Sequence, residues 1–174
     1  MPFPPFTADS PDLEIELSDA QHHLRLSPEA VRAMAARVLE LEGVRRGSLS
    51  IALVDNRAIL EVNRRHLAHD WPTDVISFPL SDPGDPEFSG DLVISGEMAV
   101  TSAAERGLDP GAEFALYLVH GLLHLCGYDD STEAERARMR LREDEVLSAL
   151  GVSPPPREAD AGDADGSSGR EGGR

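Results

Sequence analysis

Residues 117–130 read YLVHGLLHLCGYDD, a strongly apolar stretch that carries two histidines and ends in a glycine and two acids. Leucine and valine surround His120 and His124 on nearly every side, so residues 110–126 are predicted to form a buried helix. Gly127 follows, and glycine readily takes the left-handed conformation that ends a helix. We therefore expect a central apolar helix that stops at Gly127.

The two histidines suggest a metal site. They are four residues apart, so they leave one face of the helix with Cβ atoms about 5–6 Å apart, close enough for both imidazoles to reach one ion. The turn at Gly127 brings an acid back toward the same face; the spacing favours Asp130, and Asp129 is the alternative. Three protein ligands leave a fourth position open, as in catalytic zinc sites. The competing interpretation is a core helix without a metal. Its two histidines would then be satisfied by hydrogen bonds alone, because buried imidazoles need polar partners.

Gly121 limits the chemistry of such a site. In metallopeptidases of the His-Glu-x-x-His type, the residue after the first histidine is the glutamate that acts as general base. Gly121 has no side chain, so peptidase activity is disfavoured.

Outward from this helix, predicted strands and helices alternate along the chain. This alternation predicts a mixed sheet packed by helices. Residues 13–17 and 22–26 form one broken strand or a hairpin, and the other predicted strands are 48–54, 74–78 and 91–95. The other predicted helices are 28–41, one capped by Asn56, 97–106, and one from Ser131 to about Leu150.

Composition separates the two ends from the middle. Residues 1–11 are rich in proline and are expected to form a flexible N-terminus, and residues 12–152 a single domain. Residues 153–174 consist largely of Pro, Gly, Ser and Asp and predict a disordered tail. We find no run of about 18 apolar residues that would span a membrane and no secretory signal. Cys126 is the single cysteine, which suits a cytoplasmic protein.

Charge narrows the function further. All 16 basic residues are arginines, which excludes lysine Schiff-base chemistry and a phosphate-binding loop built on lysine. The formal net charge of −16 argues against broad, sequence-blind binding of nucleic acid, so no DNA partner is expected. A local arginine patch remains compatible with a nucleic-acid substrate.

Three ordered motifs resemble one family. HGLLHLCGYDD (120–130), PTDVISFP (72–79) and GDLVIS (90–95) are similar to the signatures of the YbeY endoribonucleases, and the resemblance covers about residues 45–150. It implies an α+β fold with a mixed, mostly parallel four-stranded sheet and a metzincin-like zinc site at the end of the central helix. It implies one Zn²⁺ per chain, held by His120, His124 and Asp130.

The resemblance also implies a function for residues 12–152 as a catalytic domain. That function is zinc-dependent cleavage of single-stranded ribosomal RNA, in maturation of the 16S 3′ end and in ribosome quality control. A ribosomal protein or an assembly GTPase is a further expected partner.

The chain departs from the family pattern at two positions. Asp130 stands where the family usually has a third histidine, and a carboxylate is an acceptable zinc ligand. Leu67 stands where the family commonly has an arginine implicated in handling the phosphate. Arg64 and Arg65, just upstream, are the candidates to replace it as catalytic residues; their alternative interpretation is a solvated helix face.

Several residues have more modest expected roles. Cys126 is predicted to be a buried structural thiol, and Thr73, Asp74 and Ser77 to shape the floor of the cleft. Asp129 is expected to lie beside the ligands. The remaining histidines are expected at the surface: His22, His23, His66 and His69.

Two rival functions stay open at this point. The first is a metzincin-like metallopeptidase, against which Gly121 counts. The second is a non-catalytic ribosome assembly factor with a structural zinc, whose acidic surface would suit basic ribosomal proteins.

Overall fold

The computed structural model of the chain describes residues 12–156. The predicted flexible N-terminus, residues 1–11, and most of the predicted tail, residues 157–174, lie outside the described residues. Residues 153–156 of that tail have no regular secondary structure. Within residues 12–156, no helix has the length and apolar character needed to cross a membrane.

The sheet has four strands: β1 (Leu13–Asp19), β2 (Gly47–Val54), β3 (Val75–Pro79) and β4 (Phe88–Ser95). Their order across the sheet is β1-β2-β4-β3. β1, β2 and β4 run parallel, and β3 pairs antiparallel with β4. The expected α+β fold with a mixed, mostly parallel four-stranded sheet is thus confirmed.

The described residues also form five helices, of which α5 packs on α4: α1 (Pro28–Leu41), α2 (Asn56–Leu67), α3 (Gly96–Arg106), α4 (Pro110–Leu125) and α5 (Glu133–Ala149). Each begins after a residue whose side chain accepts a hydrogen bond from a backbone N–H of the first turn, as N-cap residues do. The cap of α2 is Asp55 rather than the predicted Asn56, because the Asp55 carboxylate accepts from Ala58 N at 2.8 Å. Thr132 and Glu135 form a reciprocal capping box at the start of α5.

Residues 22–26 form neither a second strand nor part of a hairpin, so that prediction is wrong. The buried side chain of Gln21 occupies the hydrogen-bonding groups of this segment instead. Its Oε1 accepts from His23 N at 2.9 Å and from Leu24 N at 2.8 Å, and its Nε2 donates to Leu24 O at 2.6 Å. Gln21 therefore holds a compact loop where side-chain alternation alone favours a strand.

Helix α4 lies in the core, as its apolar sequence predicts. Its residues pack among the buried side chains of the sheet and the other helices; the fully buried members include Phe114, Leu118, Leu122 and Leu123. It approaches the sheet most closely at Gly121. A Cβ atom built there would lie 2.8 Å from Leu92 and 2.9 Å from Val75, closer than packed carbon atoms allow.

Gly121 is therefore expected to tolerate no branched side chain. Gly121→Val should lower the free energy of unfolding by about 2 kcal/mol, because overpacking costs typically 1–3 kcal/mol and the slightly better helix propensity of valine over glycine offsets little of that. Urea denaturation followed by circular dichroism measures the change. Ala104→Val, at an exposed position of α3, is the matched control and should cost no more than about 0.7 kcal/mol. Equal losses in both variants would contradict the close approach.

Candidate metal centre

Three side chains converge at the C-terminal end of α4. His120 Nε2 lies 3.1 Å from His124 Nε2, and Asp130 Oδ2 lies 3.4 Å from His124 Nε2 and 3.8 Å from His120 Nε2. Ligand atoms of these three residues all lie within 4.8 Å of one another. Among residues 12–156, theirs is the group of His, Cys, Asp and Glu side chains whose placement allows one ion to be held.

The spacing of these atoms fits a tetrahedral ion. Donors bound at about 2.0–2.1 Å with tetrahedral angles stand about 3.3–3.4 Å apart. The observed separations of 3.1 to 3.8 Å bracket that value. The three side chains are also partly exposed, with fractions of 30%, 28% and 43% for His120, His124 and Asp130, so the face opposite the protein is open to solvent.

Hydrogen bonds to the other ring nitrogen fix the orientation of both histidines. His120 Nδ1 lies 2.5 Å from Glu143 Oε1, and His124 Nδ1 lies 3.0 Å from the carbonyl oxygen of Tyr128. A carboxylate and a carbonyl both accept, so each Nδ1 carries the proton and each Nε2 keeps its lone pair. This is the arrangement in which metal-binding histidines are usually held.

The electrostatic surroundings favour positive charge at this point. Burial alone would lower the pKa of His120, but the hydrogen bond and charge of Glu143, with the charges of Asp74 and Asp130, outweigh it and raise the pKa above its usual value. The same negative potential stabilises a bound cation.

The turn after α4 places the third ligand. Gly127 has φ 102°, a left-handed conformation that favours glycine, and it reverses the chain directly after the helix. Asp129, which is exposed, then accepts hydrogen bonds from Asp130 N at 2.7 Å and Ser131 Oγ at 2.9 Å. Asp129 therefore organises the loop, and Asp130 is the acid that faces the histidines.

A cleft of about 330 Å³ opens beside the two histidines. Its walls are largely apolar and come from the end of α2, from β3 and from α4; they are Leu67, Val75, Ile76, Ser77, Pro79, His120 and His124. Ser77 Oγ donates to the carbonyl oxygen of Gly121 at 3.0 Å, which ties β3 to the metal-binding helix. The predicted contribution of the 72–79 motif to the cleft thus comes from Ser77 and its neighbours in β3. Asp74 instead accepts from Val75 N and Thr73 Oγ1 at the start of the strand.

Arg64 and Arg65, the predicted catalytic residues, lie in the last turn of α2 with side chains 55% and 70% exposed. Arg64 pairs with Asp70, and Arg65 Nη2 lies 2.6 Å from Glu61 Oε1. Neither arginine lines the cleft, whereas Leu67 does.

Of the minor predictions, those for Cys126 and the four other histidines agree with the structure, whereas Thr73 and Asp74 do not line the cleft. Cys126 is partly buried, and burial raises the pKa of its thiol to about 12, so it is not a reactive thiolate at neutral pH. The four other histidines are exposed, as expected; they are His22, His23, His66 and His69.

Sequence reasoning missed Glu143. It is nearly buried, with 6% of its side chain exposed, and it lies in α5, 23 residues after His120. An acid in the buried stripe of α5, between Met139 and Val146, was the available signal, because a buried carboxylate needs a partner.

Comparison with known proteins connects this site to one family. The family model described as endoribonuclease YbeY matches residues 15–151. The chain is similar to the endoribonuclease YbeY of Carboxydothermus hydrogenoformans, with 50% identity over 108 residues that cover 62% of this chain and 76% of that protein. It is also similar to that of Halorhodospira halophila, with 38% identity over 152 residues that cover 83% and 98%.

A solved structure supports the fold. The solution structure of the Thermotoga maritima protein TM1509 superposes with a TM-score of 0.54 and 19% identity, covering 91% of this chain and 99% of that one. At this identity the likeness concerns the arrangement of helices and strands alone.

Removing the charge of Glu143 is expected to weaken metal binding. Glu143→Gln should raise the Zn²⁺ dissociation constant about 10- to 100-fold, the usual cost of losing a partner that orients a ligand. Competition with a chromophoric chelator measures it, and thermal unfolding checks that the variant folds. Glu145→Gln is the control, because it neutralises an exposed acid of the same helix that pairs with Arg142. An unchanged zinc affinity in Glu143→Gln would contradict the orienting role.

Proposed function

Because the chain belongs to the endoribonuclease YbeY family, we propose that it is a zinc-dependent endoribonuclease acting on single-stranded ribosomal RNA. Its place in the cell, in this proposal, is the maturation of the 16S 3′ end and ribosome quality control. One observation carries the proposal: three ligand atoms from His120, His124 and Asp130 stand at tetrahedral spacing beside an open cleft.

The donor set suits zinc. Two imidazole nitrogens and one carboxylate oxygen are ligands that Zn²⁺ accepts, and three protein ligands are typical of catalytic sites. When bound, zinc supplies Lewis-acid chemistry: it stabilises negative charge on a phosphoryl oxygen and makes water more acidic. The protein contributes by orienting both rings so that their Nε2 atoms face the ion, through hydrogen bonds of the Nδ1 atoms to Glu143 and to the Tyr128 carbonyl.

Arg64 and Arg65 are proposed to hold phosphates of the RNA strand at the rim of the cleft. Both side chains are well exposed, and their ion pairs with Asp70 and Glu61 are surface pairs, which contribute only about 0–1 kcal/mol. A backbone phosphate, which can accept two parallel hydrogen bonds from a guanidinium, competes for such arginines at little cost.

The peptidase alternative loses further support from the packing at Gly121. A glutamate there would place its Cβ against Leu92 and Val75, so the general base of His-Glu-x-x-His peptidases would require these side chains to shift. The assembly-factor alternative differs from the proposed endoribonuclease in one respect: the protein would bind zinc but would not cleave RNA.

The remaining parts of the proposal rest on the sequence. Residues 12–152 form the catalytic domain in this account, and the lone cysteine suits a cytoplasmic location. The acidic chain suits a basic ribosomal protein as a second partner, or an assembly GTPase.

The proposal is tested by metal content and RNA cleavage measured on the same preparation. Elemental mass spectrometry should find about one zinc per chain, and a fluorogenic single-stranded RNA should be cleaved. A chelator should abolish cleavage, and added zinc should restore it. His124→Ala and Asp130→Ala should each lose at least about 100-fold in kcat/KM, because each removes one of three ligands.

His22→Ala is the control, since it removes an exposed histidine that the site does not use. Unchanged cleavage in a His120→Ala/His124→Ala double variant would show that the activity arises elsewhere. A folded, zinc-loaded chain without cleavage would favour the assembly factor.

Leu67 provides a second test. Leu67→Arg is expected to raise kcat/KM by about tenfold or more, because it adds a guanidinium to the cleft wall beside His120 and His124, where charge develops on the phosphate. Steady-state cleavage of the same RNA measures the gain. Leu67→Met, of similar length and uncharged, should leave the rate within about twofold. An equal effect of both substitutions would show that charge at this position does not reach the reacting phosphate.

A further inference from the structure

An exposed aromatic pair lies on the segment that enters the cleft. The rings of His69 and Trp71 are stacked, with centroids 4.6 Å apart and an interplanar angle of 15°. Trp71 is 57% exposed and is the single tryptophan of the chain. Large apolar side chains are usually buried, so an exposed, ordered indole calls for an explanation.

The position of Trp71 in the chain ties it to the cleft. Leu67 and Val75 both line the cleft, and Trp71 is four residues from each. Four residues span at most about 14 Å even when fully extended, so the backbone of Trp71 lies within that distance of both walls. The pair therefore lies on the short segment that connects two walls of the cleft.

Hydrogen bonds hold the backbone beneath the pair. Asn63 is buried, with 2% exposed, and its Nδ2 donates to the carbonyl oxygen of Trp71 at 2.8 Å. The backbone carbonyl of Asn63 accepts from the backbone N–H of Ala68 and, at 3.3 Å, from the backbone N–H of His69. The ion pair of Arg64 and Asp70 adds a further link across the segment. A surface fixed before binding loses less entropy when a ligand orders on it.

We propose that His69 and Trp71 form a stacking platform for an unpaired base of single-stranded RNA next to the scissile phosphate; this inference rests on the proposed function. Base–aromatic stacking is a main source of affinity for single strands and needs no positive charge. That matters in a chain of net charge −16, because its overall charge opposes the binding of phosphates. The stacked, exposed rings and their place on the segment between two cleft walls favour a base as the occupant.

The lone tryptophan makes the platform directly observable. Intrinsic fluorescence of the full-length, metal-loaded chain is titrated with an eight-nucleotide 2′-O-methyl oligoadenylate, which lacks the free 2′-hydroxyl. Stacking should quench the Trp71 emission with a saturable dependence on oligonucleotide, and equally with a chelator present. The same strand with abasic sugars should quench at least about fivefold less tightly, because the phosphates remain and the bases are gone.

Variants supply the second measurement. Trp71→Ala should weaken binding of a labelled oligoadenylate about 5- to 100-fold, the range expected for one stacked base, by the same factor at low and high salt. In RNA cleavage the loss should fall mainly on KM. Trp71→Phe should retain most of the affinity. Leu141→Ala, which removes another exposed apolar side chain, 62% exposed and located in α5, should change neither.

The outcomes separate the platform from the proposed catalysis. Quenching without any RNA cleavage supports the platform and counts against the endoribonuclease. Cleavage that proceeds without quenching, and with KM unchanged in Trp71→Ala, overturns the platform and leaves the endoribonuclease standing. Trp71 emission that changes with protein concentration but not with added oligonucleotide also overturns the platform, because it would indicate that this surface contacts another protein molecule.

Discussion

The close contact of α4 with the sheet at Gly121 is the constraint on which the site depends. Because residue 121 has no side chain, the helix lies near enough to β3 for Ser77 to donate to the Gly121 carbonyl. This contact sets the cleft between β3 and the histidines on either side of Gly121. The absence of a side chain at residue 121 thus allows the close contact of α4 and β3 beside the candidate metal centre.

The parts of the site that the sequence predicted are those set by local geometry. His120 and His124 share a face through the helical period, and Gly127 ends the helix by its left-handed conformation. Glu143 was beyond such reasoning, because its contact with His120 depends on how α5 packs on α4. The same limit applies to Gln21, whose side chain overrides strand alternation by bonding the loop that follows it. The mixed, mostly parallel four-stranded sheet agrees with what the family resemblance implied, whereas the strand order and the identity of the antiparallel strand were not predicted.

The charges around the site favour a cation at one place and an RNA strand at another. Carboxylates around His120 create a negative potential that suits a cation but repels a phosphate, and the cleft beside it is mainly apolar. An RNA strand would therefore find its attractive contacts at the margin, from Arg64, Arg65 and the stacked ring of Trp71. This division suits a protein that must avoid holding RNA indiscriminately, since weak phosphate attraction leaves recognition to unpaired bases.

His120 and His124 are oriented by different kinds of group, and this difference determines which nearby substitutions each orientation tolerates. His124 is oriented by a main-chain carbonyl, which every amino acid at position 128 would supply. His120 relies on the side chain of Glu143, which a single base change can remove. The orientation of His124 should therefore survive substitutions at position 128 that keep the fold, whereas the orientation of His120 should not survive loss of the carboxylate at position 143.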